Sequence, residues 1–180
     1  MIAAPEQVLA FWRAAGPDRW FGKDAAFDEE IRGRFVVTYE AAAAGRLAVW
    51  ERTADGALAL VIVLDQFPRN MFRGSARAYV ADPLARAAAE RAIALGFDQA
   101  TPLPERQFFY LPFEHSESIA DQERSLTLFR ATGDAELVKW AELHADIVRR
   151  FGRFPHRNAV LGRASTAAEQ AFLADGGFGG

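Results

Sequence analysis

The sequence contains no cysteine. This absence excludes disulfide bridges, thiolate metal sites and a cysteine nucleophile, and it leaves the redox compartment open. An excess of basic residues is also missing, because the formal net charge at pH 7 is -3 over 180 residues. Proteins that bind nucleic acid present strongly basic faces, so we expect no nucleic-acid partner.

Long hydrophobic runs are absent as well. The longest apolar run, Ala57 to Leu64, is far too short to cross a bilayer. The first residues, Met1 to Trp12, lack a basic start and are interrupted by Glu6, so they do not resemble a signal peptide. These features predict a cytoplasmic protein without a membrane partner.

The sequence also lacks the motifs that name a reaction. It has no glycine-rich phosphate loop, nucleophile elbow or dinucleotide fingerprint, so we predict no cofactor. The three histidines, His115, His144 and His156, stand in separate segments without the spacing of a helical ligand pair. His144 falls within the apolar face of a predicted helix and is interpreted as a core histidine. We therefore predict no metal site, and enzymatic activity is left open.

What is present predicts a helical fold. The chain has 15 Phe and 4 Trp, mostly at helical spacing, which favours a helix-packed aromatic core. Residues 53–66 have an almost entirely apolar middle that also suits a buried strand, and we prefer a helix because no partner strand is evident. We predict an all-α single domain over residues 1–174, with seven or eight helices packed as antiparallel hairpins. A flexible glycine-rich tail is predicted for residues 175–180.

Several residues mark where these helices begin. Asp24 is placed to cap a helix whose first turn is acidic. Ser118 with Asp121, and Thr166 with Glu169, have the spacing of capping boxes. Residues 134–151 form a long amphipathic pattern that ends before a glycine. These signals of helix starts and ends are closely spaced along the sequence, and they leave no long linker that would divide the chain.

Two similar motifs follow helix-like segments. The first motif comprises residues 67–74, Phe-Pro-Arg-Asn-Met-Phe-Arg-Gly, and the second motif residues 154–163, Phe-Pro-His-Arg-Asn-Ala-Val-Leu-Gly-Arg. Because proline has no N–H to donate, Pro68 is expected to end its helix. Arginine offers a planar fork that suits carboxylate or phosphate, which indicates an anionic ligand. The predicted ligand-binding residues are Arg69, Asn70, Arg73, Arg153, Arg157 and Asn158.

A structural role for both motifs is an open alternative. The asparagines can satisfy helix-end carbonyls, and the arginines can pair with Asp65, Glu114 or Glu117, since buried polar groups usually have partners within the protein. The residues alone do not choose between ligand contact and internal pairing.

A third cluster lies at residues 111–117. Pro112 makes the backbone irregular next to Glu114 and His115, and such segments often carry functional side chains. His115 can act as a general acid or base, oriented by Glu114 or Asp65, and His156 is the other candidate base. The alternative is a histidine that only forms a hydrogen bond with a carboxylate at a helix end.

At these residues the sequence resembles a mainly bacterial family known as domain of unknown function 924. The resemblance implies an all-α fold similar to tetratricopeptide-like helical hairpins, and it implies no activity. Two mild departures are the β-branched residues at 36–38 and the glycine-rich tail. The matching strings are Val8–Trp12, Trp20–Asp24, Leu64–Asn70, Leu111–Glu117, Ala120–Arg124 and Arg150–Asn158.

Three hypotheses about function follow. The first is a polar pocket, lined by both motifs and the Glu114–His115 segment, that binds an anionic small molecule or a peptide carboxylate. The second is an interaction scaffold of tetratricopeptide-like type. The third is a hydrolase or transferase with a histidine general base. Fold analogy does not choose among them, and the oligomeric state is open.

Overall fold

The computed structural model describes residues 1–179, and this part of the chain forms α-helices, short 3₁₀ segments and loops without any β-strand. The predicted all-α fold is confirmed. Seven of its α-helices have eight or more residues, and three are single turns. The α-helices are α1 Pro5–Ala15, α2 Pro17–Trp20, α3 Ala25–Ala43, α4 Ala54–Met71, α5 Asp82–Ala94, α6 Phe97–Ala100, α7 Leu111–Glu114, α8 Ile119–Arg130, α9 Ala135–Phe151 and α10 Ala167–Ala174.

The chain divides into two compact units. The first unit comprises Met1–Arg73 with Arg77–Pro112, and the second comprises Gly74–Ala76 with the chain from Phe113 onwards. Helices α1 to α6 belong to the first unit, and α8 to α10 belong to the second. The predicted domain of residues 1–174 contains both. Similarity to tetratricopeptide hairpins stays a prediction.

Helix α4 is the centre of the first unit, where α1, α3 and α5 pack against it. Thr53 caps it, because its hydroxyl accepts a hydrogen bond from the Gly56 N–H at 3.1 Å. Nearly all side chains from residue 56 to residue 68 are buried, which explains why the segment is apolar on every face. The choice of a helix over a strand for this segment is confirmed.

The predicted end of this helix is wrong. Helix α4 continues through Pro68 to Met71, so the first motif begins inside the helix. Pro68 lies in the last turn, where the proline removes only its own hydrogen bond to the preceding turn. The Phe72 N–H still donates to the Pro68 carbonyl at 2.9 Å. A proline this close to a helix end therefore leaves the final turn intact.

Aromatic rings fill the core of the first unit, as predicted. Trp12 is 1% exposed and stacks on Trp20 at a ring-centroid distance of 6.0 Å. The Trp20 Nε1–H donates to the Trp12 carbonyl at 2.7 Å. The rings of Phe67 and Phe108 each lie 5.6 Å from Trp12 in edge-on orientation. Such rings offer a weak acceptor face for the Trp12 Nε1–H, which has no conventional hydrogen-bond partner.

The second unit is built on α8 and α9, which pack against each other. Asp134 caps α9, and Gly152 ends it in the left-handed conformation with φ 71°. The capping box predicted for α8 is wrong, because the Ser118 side chain makes no capping bond and Asp121 instead accepts from the Ser116 hydroxyl at 2.5 Å. No helix among the described residues has both the length and the apolar content that a membrane crossing requires.

The capping box predicted at the start of α10 is confirmed. The Glu169 N–H donates to the Thr166 hydroxyl at 3.2 Å, and the Thr166 N–H donates to the Glu169 carboxylate at 2.7 Å. The predicted tail follows this helix, and its Gly180 lies outside the described residues. Mobility of the tail stays a prediction.

Candidate functional site

The first motif is tied to carboxylates of its own unit. The two terminal nitrogens of Arg69 donate to the Asp82 carboxylate at 3.0 and 3.1 Å, and one of them also donates to the Asp65 carbonyl at 2.6 Å. The same guanidinium lies 3.3 Å from the Asp65 carboxylate, which is fully buried. Burial by itself lowers the pKa of Arg69, but the charges of Asp65 and Asp82 outweigh it and raise that pKa above its ordinary value.

The other two residues of the first motif share a single carboxylate on α3. The Asn70 amide donates to Asp28 at 2.8 Å, and Arg73 donates to both oxygens of the same carboxylate at 2.7 and 3.0 Å. These bonds join the end of α4 to the first turn of α3. In the first motif the internal pairing left open by the sequence is therefore what the structure contains.

The second motif has internal partners in the second unit. Arg153 donates to both oxygens of Glu169 at 2.6 and 2.8 Å, which connects the end of α9 to the capping box of α10. The Asn158 amide donates to the Ser165 hydroxyl at 3.1 Å, and its carbonyl oxygen accepts from Arg163 at 2.9 Å. Pairing with carboxylates thus occupies the Arg153 fork, as it does for Arg69 and Arg73.

Glu117 joins the second motif to the segment that precedes α8. Its carboxylate accepts from both ends of the Arg163 fork at 2.7 and 2.9 Å and from the Phe154 N–H at 2.8 Å. Burial raises the pKa of Glu117, but these hydrogen bonds and the charges of Arg163 and Arg157 outweigh it and leave the pKa below its ordinary value. The predicted meeting of the second motif with this segment is therefore observed within the second unit.

The pair of Arg153 and Glu169 predicts a loss of stability in acid. The hydrogen bond from Arg153 holds the pKa of Glu169 down to about 2, against an ordinary value of 4.5. Because the folded-state pKa is the lower one, the stabilisation is complete above pH 4.5 and is lost as the pH falls toward 2. We expect Glu169→Gln to reduce the drop in urea midpoint between pH 7 and pH 2, relative to the wild-type chain. The matched control is Glu142→Gln, because the Glu142 side chain is 54% exposed in its pair with Arg130; an equal reduction in both variants would contradict the assignment.

A buried amide fixes the backbone of the Glu114–His115 segment. The Gln122 side chain is fully buried, and its Nε2 donates to the carbonyls of Glu114 at 2.7 Å and Ser116 at 2.6 Å. The Ser118 N–H donates to the Ser116 hydroxyl at 3.2 Å. The irregular backbone expected after Pro112 is therefore a turn, and the Gln122 side chain of α8 holds this turn through hydrogen bonds.

The three histidines of the chain all lie in the second unit, and we call them the histidine cluster. The fully buried Phe154 ring lies 5.6 Å from the rings of both His144 and His156. The His115 ring lies 6.4 Å from the His144 ring. Phe178, beyond α10, places its ring 4.6 Å from His144 and 5.3 Å from His156. These histidines stand in separate segments of the sequence, and tertiary packing brings their rings together.

The hydrogen bonding of His144 identifies its protonated nitrogen. His144 Nδ1 lies 2.8 Å from the Trp140 carbonyl oxygen and 3.2 Å from Glu114 Oε1. Because a carbonyl only accepts hydrogen bonds, Nδ1 must carry the proton. In the neutral ring Nε2 is then the basic nitrogen. Both side chains are buried, at 6% exposure for His144 and 3% for Glu114.

Arg157 adds a permanent positive charge beside the histidine cluster. Its buried guanidinium lies 4.5 Å above the Phe154 ring, the same ring that His144 and His156 contact. The Phe154 ring is thus in contact with two imidazoles and one guanidinium.

The structure therefore divides the predicted site residues between the two units. The interpretation of His144 as a core histidine is confirmed, because the side chain is buried and is hydrogen-bonded to the Trp140 carbonyl. The positions of the Gln122 amide and the Phe178 ring carried no local signal in the sequence. Asp65, Arg69, Asn70 and Arg73 lie in the first unit, and Glu114, His115, Arg153, His156, Arg157 and Asn158 lie in the second.

Metal sites and surface depressions do not coincide with these residues. Within residues 1–179 no three His, Asp or Glu side chains are arranged to hold a metal ion. The second unit has an open depression of about 530 Å³ beside Arg150, Phe151 and Phe172. The first unit has one of about 450 Å³ beside Phe11 and Phe27. None of the predicted site residues lines either depression.

Comparison with known proteins places the chain in a family. A solved structure of a protein of unknown function from Agrobacterium tumefaciens is 48% identical, covers 95% of this chain and 97% of its own, and superposes with a TM-score of 0.92. No curated protein matches the sequence. Residues 8–177 match the sequence profile of a family described as bacterial protein of unknown function, DUF924. The chain therefore belongs to the DUF924 family.

Proposed function

We propose that the second unit contains a general acid–base site in which His144 is the base and Glu114 orients it. The reaction class is a hydrolase or a group transferase, in which a proton moves to or from the reacting group. The observation that carries the proposal is the position of His144 Nδ1, between the Trp140 carbonyl at 2.8 Å and the Glu114 carboxylate at 3.2 Å.

This arrangement suits a histidine base for two reasons. A carboxylate beside Nδ1–H holds the ring in one orientation and stabilises the imidazolium that forms when Nε2 takes a proton. A base whose pKa lies near neutrality is the most effective at cellular pH, and among side chains imidazole is the one whose ordinary pKa meets that condition. Gln122 supports the same geometry, because it fixes the backbone that carries Glu114.

The proposed substrate is a small molecule with an anionic group. Arg157 supplies a positive charge at the Phe154 ring, which the rings of His144 and His156 also contact. His115 and His156 gain positive charge when protonated, which adds to the attraction for an anion.

An interaction scaffold is supported less well than an acid–base site. Scaffolds of helical hairpins bind partners through broad apolar surfaces, whereas the feature that distinguishes this chain is a buried polar cluster. The cytoplasm is the proposed location of the protein.

The tautomer of His144 tests the proposal directly. In ¹⁵N-labelled protein at about pH 8, above the ordinary imidazole pKa of about 6.5, long-range ¹H–¹⁵N spectra distinguish protonated Nδ1 from protonated Nε2. We expect His144 to carry its proton on Nδ1, and replacement of Glu114 by alanine to weaken that preference. A His144 ring protonated on Nε2 would rule out Nε2 as the base.

Activity provides the second measurement. In a panel of nitrophenyl esters and phosphates, any hydrolysis by the wild-type chain should fall about 10²–10⁴-fold in His144→Gln, the usual contribution of a general base. The matched control is Leu143→Gln, which introduces the same side chain at a partly exposed neighbour on α9. Equal rates in the two variants would show that the hydrolysis does not depend on His144.

A further inference from the structure

The residues after α10 form a defined turn. Gly176 adopts φ 79°, in the left-handed region that favours glycine, and the Gly177 N–H donates to the Phe172 carbonyl at 2.9 Å. A Cβ atom on Gly177 would lie 2.4 Å from that carbonyl oxygen and 2.6 Å from the Phe172 ring, so the backbone can approach this closely only with glycine. These two glycines reverse the chain and direct the next residue toward the histidine cluster.

The next residue is Phe178, whose ring lies against both His144 and His156. The centroid distances are 4.6 Å and 5.3 Å, and the planes are inclined at 66° and 78°. The same ring packs on the small apolar cluster of Ile147, Val148 and Phe154. The Phe178 ring thus lies beside His144, the proposed base.

Phe178 differs from an ordinary core aromatic in the way it is held. It is half-buried and lies between Gly177 and the exposed Gly179, so no large neighbouring side chain anchors its backbone. Glycine-flanked segments with few buried side chains open at low free-energy cost. The contact that Phe178 makes with two imidazoles is therefore a contact that the chain can release.

We propose that the Phe178 ring occupies the subsite for an aromatic ring of the substrate, and that residues 176–179 form a strap that leaves when the substrate binds. The proposal rests on the proposed function, and it deepens it by naming the substrate class as a small molecule with an aromatic ring and an anionic group. The ring would replace Phe178 between His144 and His156. The anionic group would face Arg157, whose guanidinium lies 4.5 Å from the centre of the Phe154 ring.

A strap of this kind lowers the apparent affinity for the substrate. When only a fraction of the molecules has the site open, the apparent dissociation constant rises by the reciprocal of that fraction. If the strap is open about one-tenth of the time, its removal tightens binding about tenfold. The effect is confined to ligands that need the ring subsite, so an anion without a ring gains nothing comparable.

Benzoate is the probe, because it combines a ring with a carboxylate, and acetate is the probe without a ring. Histidine ring signals are followed by NMR during titration of the full-length wild-type chain, Phe178→Ala and Phe178→Leu. We expect benzoate to bind Phe178→Ala at least about tenfold more tightly than the wild-type chain, with the signals of His144 and His156 shifting. Phe178→Leu keeps apolar bulk and should show a smaller gain, and acetate affinity should change less than twofold.

The control is Phe21→Ala, which removes an exposed ring in the first unit. Equal benzoate affinity in Phe178→Ala and the wild-type chain would overturn the strap, as would a gain of the same size in Phe21→Ala. If Phe178→Ala fails to fold, the benzoate affinity of Phe178→Leu decides. Tighter binding than in the wild-type chain supports the strap, and equal binding overturns it. The two proposals fail separately. If His144 carries its proton on Nδ1 but benzoate binding is not tighter in Phe178→Ala, the strap is ruled out and His144 is retained as the proposed base.

Discussion

Replacement of Arg69 by methionine is expected to lower the free energy of unfolding by about 3–5 kcal/mol, the usual cost of removing one partner from a buried ion pair. Methionine fills much of the same space but removes the guanidinium that pairs with both Asp65 and Asp82. Asp65 is fully buried and Asp82 is 7% exposed, so water does not replace the lost charge. Urea denaturation followed by far-UV circular dichroism measures the change.

Two further variants test whether charge causes this loss. Arg130→Met makes the same substitution in a pair with Glu142 whose side chains are more than half exposed, and it should cost less than about 1 kcal/mol. Adding Asp82→Asn to Arg69→Met removes one of the two carboxylate charges that Arg69 pairs with and should recover part of the stability. A double variant that is less stable than Arg69→Met would show that packing, and not charge, accounts for the loss.

Phe154→Ala should destabilise the second unit by about 3–5 kcal/mol, as deletions of fully buried aromatic rings do. The ring is completely buried and packs on Ile147 and Val148, and it lies 5.6 Å from the rings of both His144 and His156. Its loss removes the wall of the proposed site along with the packing. Thermal unfolding gives the stability, and NMR spectra of the histidine rings should show His144 and His156 shifting together.

Phe154→Leu and Phe21→Ala are the matched controls. Leucine retains most of the buried apolar surface at position 154, so we expect a smaller loss than with alanine. Phe21 is 59% exposed, and its replacement should change stability by less than about 0.5 kcal/mol. If Phe154→Ala behaved like Phe21→Ala, Phe154 would not be the packing centre of the histidine cluster.

Local signals in the sequence predicted most helices. Asp24 and Thr166 each cap the helix expected of them, because a cap is a contact between residues two or three positions apart. The same reasoning failed at Ser118, whose neighbour Asp121 bonds to Ser116 instead. It also failed at Pro68, where the position within the last turn decides whether a proline breaks the helix.

The sequence predicted only some partners of the arginines. Glu117, which is 46 positions from Arg163, was among the carboxylates named for pairing, whereas Asp28, which is 45 positions from Arg73, was not. Charge and geometry make many such pairs possible in a chain with 21 basic and 24 acidic residues. Only the packing of helices selects among them, because a hydrogen bond requires a separation of about 3 Å.

By itself the sequence determined that the chain is helical, that aromatic rings fill its core and that its two proline–arginine–asparagine motifs make specific polar contacts. The tertiary structure decided what those contacts are: Asp28 and Asp82 in one unit, Glu117 and Glu169 in the other. It also placed His144, which the apolar face of its helix predicted to be a core histidine, beside the carboxylate of Glu114. Helical periodicity is a local property, whereas the distance from His144 to Glu114 is fixed only when α9 packs beside the segment that precedes α8.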